Sequence, residues 1–504
     1  MAGLRPPGLR LAGAALAGAA MALAQPPLGL WPALFASGPF LYLFWARAET
    51  ARAAFLTGWA AGAAFFGLTL HWIVEPFLVD AARHGWMAPF ALLLMAGGLA
   101  LFWGAGFALA AALRRFGGGP FLLAAAWALL EFARSYILTG FPWALPAYAW
   151  METPLLQSAA LIGPYGLSLL TLGALLAPGA LLEPKRRALP ALLCLPALAG
   201  LWLWGAARIP EGVEADPSRP LVRILRTEID QNEKWAPENA RLFFERLLAL
   251  SEGGAEPPAI VLWPEAAISF PIDMAPEAQA MIARALGPAA LGLGSLRLDA
   301  GPEGRIEVGA LWRNSFFLLD GQGLSAPYDK VHLVPFGEYL PFDAAMAAIG
   351  LKSLAGLGAG IVPGAAPALM QAPGLPPFAP LICYEMIFPR ETARAAAGAG
   401  WLVLVTNDGW FGGWAGPRQH FEMARMRAVE TGLPVARAAN RGISAMIDPW
   451  GRAEEAAAGE RALDARLPDS LPPPPYARTG ETYTTLALLL LCILSTQGRR
   501  RRGD

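Results

Sequence analysis

The chain has 504 residues, with 39 Lys and Arg against 39 Asp and Glu, and is 55% apolar but only 15% charged. Soluble domains average about 25% charged residues, so a wholly soluble protein is excluded. A net charge of zero leaves no electrostatic case for nucleic-acid binding.

The charges gather between about residues 208 and 480, and the flanking sequence is close to pure Ala, Leu, Gly, Phe and Trp. This pattern predicts a membrane protein carrying one large aqueous domain. The first apolar run is 8–24, with Arg5 and Arg10 at its start. Ala22-Leu23-Ala24-Gln25 resembles a signal-peptidase site, but apolar runs continue at once, so an uncleaved anchor is expected. Further spans are predicted at 28–45, 54–74, 88–112, 120–138, 154–181 and 188–206, and a short eighth at 483–497.

Every second connection is basic: Arg47 and Arg52, then Arg114 and Arg115, then Lys185, Arg186 and Arg187, and finally Arg499 to Arg502. The positive-inside rule therefore puts the N-terminus in the cytoplasm. The expected layout is a seven-helix membrane domain at 1–207, a linker at 208–220, an outer aqueous domain at 221–470, a tether at 471–482, the eighth span, and a basic cytoplasmic tail at 498–504. Glu131 and Arg134 share one face of the fifth span and read either as a functional intramembrane pair or as a structural one.

In the aqueous segment, short apolar strands alternate with amphipathic helices. Strands are predicted at 221–225, 259–263, 290–298, 314–319, 380–383, 401–406, 435–438 and 444–447, and helices at 238–250, 276–286 and 419–431. This alternation predicts a layered α/β domain. Pro472 to Pro475 form a stiff tether toward the last span.

Cys194 and Cys492 lie inside apolar runs and read as inert thiols. Cys383 is the only cysteine of the aqueous segment, so it has no disulfide partner there. No CxxC pair or Cys/His cluster suggests a metal, and no cofactor is expected. A cysteine attacks as its thiolate, so a base must take its proton. His332 and His420 make a Cys-His dyad conceivable on count alone. Glu265, ending an apolar strand beside Trp263, is a carboxylate alternative whose partial burial would suit a base. Lys330 could supply positive charge to a thiolate and an oxyanion. Each also has an ordinary reading as a strand cap, a solvated lysine and a core thiol.

The local sequences narrow this. Trp263-Pro264-Glu265, Tyr328-Asp329-Lys330-Val331-His332-Leu333-Val334-Pro335-Phe336-Gly337-Glu338-Tyr339 and Cys383-Tyr384-Glu385 closely resemble the nitrilase (carbon–nitrogen hydrolase) superfamily. With the flanking spans, Pro335 to Pro341, Thr406-Asn407-Asp408-Gly409-Trp410-Phe411-Gly412 and Gln419 to Ala428, the chain resembles the apolipoprotein N-acyltransferase family of Gram-negative bacteria. That resemblance implies an αββα sandwich on the periplasmic side of the inner membrane. It implies Glu265 as base, Lys330 as oxyanion stabiliser and Cys383 as nucleophile, with Glu338, Tyr384 and Glu385 in support and Trp235 handling substrate. It further implies a ping-pong reaction through a cysteine thioester. The expected donor is a membrane phospholipid, phosphatidylethanolamine by resemblance. The expected acceptor is the α-amino group of a diacylglyceryl-cysteine on an apolipoprotein. The Ala- and Gly-rich stretch 343–363 reads as a mobile arm or a plain loop. Two rivals remain at this point: a membrane-tethered amidase or nitrilase acting on a small amide, and a non-catalytic lipid-binding scaffold.

Overall fold

The computed structural model describes residues 7–114, 119–182, 185–212, 216–299, 311–342, 360–457, 459, 461–482, 484 and 486. It divides into two compact units, 1–211 with 474–504, and 212–473.

The first unit is helical. Its helices cover Pro7–Ala22, Pro32–Ala46, Ala51–Thr69, Ala88–Leu113, Pro120–Arg134, Ala159–Leu176 and Lys185–Arg208. Among the described residues, Ala81–Leu113, Pro154–Gly179 and Leu189–Arg208 are long and apolar enough to cross a membrane, and Ala51–Thr69 joins His71–Leu78 across a 65° bend. The predicted run 154–181 breaks at Gly163, where φ is +64° and Pro164 follows. Proline removes a helical donor and clashes with the preceding turn.

Small residues let these helices meet backbone to backbone. A Cβ on Gly18 would lie 2.0 Å from the Ala61 carbonyl oxygen, and one on Gly38 would lie 2.0 Å from that of Leu175. Packing of this kind replaces the hydrophobic drive that lipid does not supply. Glu131 and Arg134 are both 1% exposed and paired at 2.5 Å. Trp103 Nε1 donates to Glu131 Oε1 at 2.6 Å, and Arg134 Nη1 donates to the carbonyls of Phe141 (2.5 Å) and Trp143 (2.9 Å). The pair thus ties Ala88–Leu113, Pro120–Arg134 and the following turn together, which is the structural reading. Most of the predicted eighth span, all but 484 and 486, and most of the 343–363 arm lie outside the described residues.

The second unit is built on two sheets. The strands are β1 (Leu221–Leu225), β2 (Ile260–Trp263), β3 (Ala290–Leu298), β4 (Trp312–Asp320), β5 (Gly323–Leu324), β6 (Tyr328–Asp329), β7 (Phe378–Ile382), β8 (Trp401–Asn407), β9 (Val435–Asn440), β10 (Ala445–Ile447), β11 (Ala453–Glu455) and β12 (Ala462–Arg466). One sheet runs β12-β1-β2-β3-β4-β5, with β6 also paired to β4; the other runs β11-β10-β9-β8-β7. The centres, β1-β2-β3 and β7-β8-β9, are parallel.

Period-2 alternation sorts the strand residues into layers. Ile260 and Leu262 face a core shared with Phe378, Trp401, Val403 and Val405 of the other sheet. Val261 and Trp263 face instead the helices Ala240–Glu252 and Pro276–Leu286, through Phe244, Leu247 and Ile282. Leu402 and Leu404 face the helix Ala415–Thr431 through Phe421, Ala424 and Ala428. Strands buried on both faces explain the continuous apolar runs, and the layer order is the αββα sandwich of the nitrilase-like fold.

Most predicted strands and helices match within a few residues. One boundary differs in a way that matters: β7 ends at Ile382, and Cys383 lies outside the strand at φ +51°. The Ile382 N–H donates to the Glu385 carboxylate at 2.7 Å, which turns the chain sharply out of the sheet. The edge strands β11 and β12 were not predicted: Ala453–Glu455 is short and acidic, and Ala462–Arg466 is a five-residue segment with Leu463 and Ala465 buried and Asp464 exposed.

Arg134→Leu strands the Glu131 charge and should destabilise the helical unit by about 3–5 kcal/mol. Adding Glu131→Leu should recover part of the loss. Thermal unfolding of the detergent-solubilised protein measures both, and an unchanged melting temperature for Arg134→Leu would contradict a structural clamp.

Candidate active site

Glu265, Lys330 and Cys383 follow the ends of three strands. Pro264, which lacks an N–H, closes β2 and delivers Glu265. The Ala267 N–H bonds the Gly294 carbonyl at 2.9 Å and pins this loop to β3. Gly294 is required there: a Cβ would meet Glu265 Cα at 2.7 Å and the Pro264 carbonyl oxygen at 2.8 Å. Lys330 follows β6, and its N–H donates to the Asn314 carbonyl on β4 at 2.8 Å. Cys383 begins the turn Cys383–Ile387.

The centre of the site is the Lys330 ammonium, on a residue only 1% exposed. It lies 3.0 Å from Glu338 Oε1, 2.9 Å from Glu338 Oε2 and 3.7 Å from Glu265 Oε1. Asn314 Nδ2 donates to both carboxylates, at 2.7 Å to Glu265 and 3.0 Å to Glu338. The Val334 N–H donates to Glu338 Oε2 at 2.8 Å and fixes that side chain. Burial alone would lower the Lys330 pKa, but the charges of Glu338 and Glu265 outweigh it and hold the group well above the usual lysine range. Lys330 is therefore a permanent cation and not a base.

The Cys383 thiol is pushed up, first by burial and then by the Glu265 charge, while Lys330 pulls the other way. It rests protonated beside a carboxylate and a cation, as a thiol needs if it is to ionise only as it attacks. Its left-handed backbone is costly for a residue with a Cβ, at roughly 1–3 kcal/mol.

Glu385 is satisfied by donors from the neighbouring loops. One of its oxygens accepts from the Tyr328 hydroxyl (2.7 Å) and from the N–H groups of Val331 (2.7 Å) and His332 (3.4 Å), and the other from Ile382 N–H. It therefore ties the Lys330 loop to the strand end that carries Cys383. Burial raises its pKa despite these donors. Tyr384 is buried, with its ring edge-on to Phe388 at 5.1 Å and to His332 at 5.5 Å. Trp235 is 44% exposed, in the turn that follows the short helix ending at the buried Lys234, whose ammonium lies 5.6 Å from the Trp235 ring and donates to the Glu265 carbonyl at 3.2 Å.

The histidines do not form the dyad that their number allowed. His332 pairs with Glu391 at 3.0 Å. His420 donates Nε2–H to the Cys383 carbonyl at 3.2 Å, and its Nδ1 faces Asp408 at 3.0 Å. Asp408 in turn accepts from Arg437 Nη2 at 2.6 Å. Asn314, Asp408 and Arg437 had no assigned role in the sequence reading. The signal for Arg437 was a charge inside the apolar run Val435 to Asn440; Asn314 sits in an ordinary strand with no such signal.

The carbon–nitrogen hydrolase family profile matches residues 232–464, and the profile described as the apolipoprotein N-acyltransferase N-terminal domain matches 17–176. An apolipoprotein N-acyltransferase of Rhodopseudomonas palustris is 37% identical over 96% of this chain and 94% of its own length. One from Caulobacter vibrioides is 38% identical over 95% and 92%. Among solved structures, an amidase from Nesterenkonia sp. aligns with 20% identity over 55% of this chain and 99% of its own, at a TM-score of 0.38.

Burial lowers the Lys234 pKa from 10.5 to about 8, against an opposing pull from Glu265. Between these values the unfolded chain binds more protons, so this group's contribution makes stability rise with pH over that interval and is lost as pH falls through about 8. The contribution is roughly 3 kcal/mol. Denaturant titrations at pH 7.5 and 10 should show this rise in the wild type and a smaller one in Lys234→Met; equal slopes would refute the assignment.

Proposed function

The chain belongs to the apolipoprotein N-acyltransferase family, and from that premise we propose that Cys383, Glu265 and Lys330 carry the family's reaction as nucleophile, base and oxyanion stabiliser. The protein is a membrane-bound acyltransferase of lipoprotein maturation, with a carbon–nitrogen hydrolase domain; its donor is a phospholipid and its acceptor a lipoprotein. The observation that carries the assignment is Lys330 held between Glu265 and Glu338 and within electrostatic reach of Cys383.

The reaction proceeds in two halves. Glu265 accepts the Cys383 proton as the sulfur attacks the ester carbonyl of the donor, phosphatidylethanolamine in this reading. The oxyanion forms opposite Lys330, whose 3.7 Å contact with Glu265 is longer than a hydrogen bond and leaves room to reorient a donor. Collapse expels the glyceryl oxygen, which takes the proton from Glu265, and lysophospholipid departs. The thioester is then attacked by the free α-amino group of the acceptor's diacylglyceryl-cysteine. Glu265 takes the amine proton, the thiolate leaves, and it is reprotonated. Glu338 fixes the ammonium, Glu385 fixes the two loops, Tyr384 supports them, and the exposed Trp235 handles substrate.

The alternation of basic connections supports the inner membrane with residues 221–470 in the periplasm. Seven spans within 1–207, a linker at 208–220, a tether at 471–482 and an eighth span at 483–497 complete this layout, and both lipid-anchored substrates then reach the site from the bilayer.

Initial rates with labelled phosphatidylethanolamine and a diacylglyceryl peptide should give parallel double-reciprocal lines. Cys383→Ala and Glu265→Gln should lose at least about a thousandfold in kcat/KM. Full transfer by Cys383→Ala would defeat the assignment, and turnover of a soluble amide without peptide acylation would favour the amidase rival. Separately, Gln322→Cys, in an exposed turn, should react with a membrane-impermeant maleimide from the periplasmic side. Labelling only from the cytoplasmic side would overturn the orientation.

A further inference from the structure

The strand beside the candidate nucleophile ends on groups that the two-carboxylate account does not use. β7 and β8 are parallel, with Ile382 opposite Val405, so the next residues at the sheet edge are Cys383 and Thr406. Thr406 is fully buried, and its hydroxyl donates to Asp408 Oδ1 at 3.0 Å. The same hydroxyl acts on the Cys383 side chain and favours its thiolate form. A hydroxyl has one proton and two lone pairs. While it donates to Asp408 it can only accept from sulfur, which suits a protonated thiol. A thiolate is an acceptor, so once the thiol ionises the hydroxyl can serve the sulfur only by turning its proton away from Asp408.

Asp408 is built to allow that turn. Burial would raise its pKa, but Arg437 and His420 outweigh burial and keep it a carboxylate. Arg437 Nη2 lies 2.6 Å from Oδ2, and His420 Nδ1 lies 3.0 Å from Oδ1. Arg437 is held in place by a bond from Nη1 to the Ile443 carbonyl, and His420 by its bond to the Cys383 carbonyl. The carboxylate therefore keeps the Arg437 guanidinium when Thr406 leaves it. Without Arg437, release of the hydroxyl would strand a buried charge.

We propose that Thr406 is a further catalytic residue: its hydroxyl turns from Asp408 to the Cys383 sulfur as the thiol gives up its proton, and stabilises the thiolate that attacks the donor and leaves again when the acceptor amine is acylated. The thiol proton goes to Glu265. Thr406 keeps its own proton and only rotates about its C–O bond, so no proton is gained or lost along this arm. The proposal rests on Cys383 being the nucleophile.

The test uses the full-length protein in detergent with labelled phosphatidylethanolamine and no acceptor, following acyl adduct on Cys383 by rapid quench and mass spectrometry. Thr406→Val keeps the shape and loses the hydroxyl; Thr406→Ser keeps the hydroxyl. A hydrogen bond to a charged group predicts adduct formation roughly ten- to a hundredfold slower in Thr406→Val. Thr406→Ser should stay within about threefold of wild type. Iodoacetamide alkylation of Cys383, which needs the thiolate but no lipid, should rank the three proteins in the same order. An unchanged rate in Thr406→Val overturns the proposal, and so does a loss in Thr406→Ser equal to that in Thr406→Val. If Thr406→Val does not fold, Thr406→Ala against Thr406→Ser makes the same comparison. Wild type that forms no adduct on Cys383 defeats the nucleophile assignment instead.

Discussion

A buried ammonium must be matched by negative charge, and the candidate site is arranged around that requirement. Lys330 is 1% exposed, and two carboxylates neutralise it, Glu338 closely and Glu265 at a longer distance. Removing Lys330 would leave two carboxylates without their cation inside the domain, which is costly. The same imbalance is useful chemically. Lys330 holds Glu265 less closely than Glu338, so of the two Glu265 is the carboxylate suited to exchange protons, while Glu338, which also accepts from the Val334 N–H, is the fixed counter-charge.

Several strands contribute to this cluster, and the sandwich brings them together. β2 leads to Glu265, β4 carries Asn314, β6 leads to Lys330 and β7 to Cys383. Glu385 stitches the last two together through four donors, Tyr328 hydroxyl and the N–H groups of Val331, His332 and Ile382. The proposed nucleophile is thus held by its neighbours in a backbone conformation that its own side chain disfavours. The network of His420, Asp408 and Arg437 supports it from the opposite side, through the Cys383 carbonyl.

Much of this was legible in the sequence. Runs such as Trp401 to Thr406 and Ala290 to Leu298 are apolar on both faces and bounded by polar turns, so they read as buried strands, and the motifs around Glu265, Lys330 and Cys383 carried a family resemblance. What the sequence could not give is pairing across distance. Nothing local says that Asn314 bridges two carboxylates, that Glu385 reaches Tyr328, or that His420 meets a carbonyl 37 residues away. The edge strands β11 and β12 were missed because β11 is a three-residue, largely acidic segment and the alternation of Leu463, Asp464 and Ala465 in β12 spans only five residues. Glu131 and Arg134 were visible as a pair, but their partners Trp103, Phe141 and Trp143 appear only in the fold.

The central claim is that the acyl chain rests on Cys383 between donor and acceptor. Intact-mass measurement after incubation with phospholipid alone tests it most directly. The account predicts one acyl chain per protein, mapped to Cys383, released by neutral hydroxylamine and discharged on adding a diacylglyceryl peptide. A protein that transfers acyl chains to the peptide yet never carries one itself, or carries it on another residue, would contradict the account.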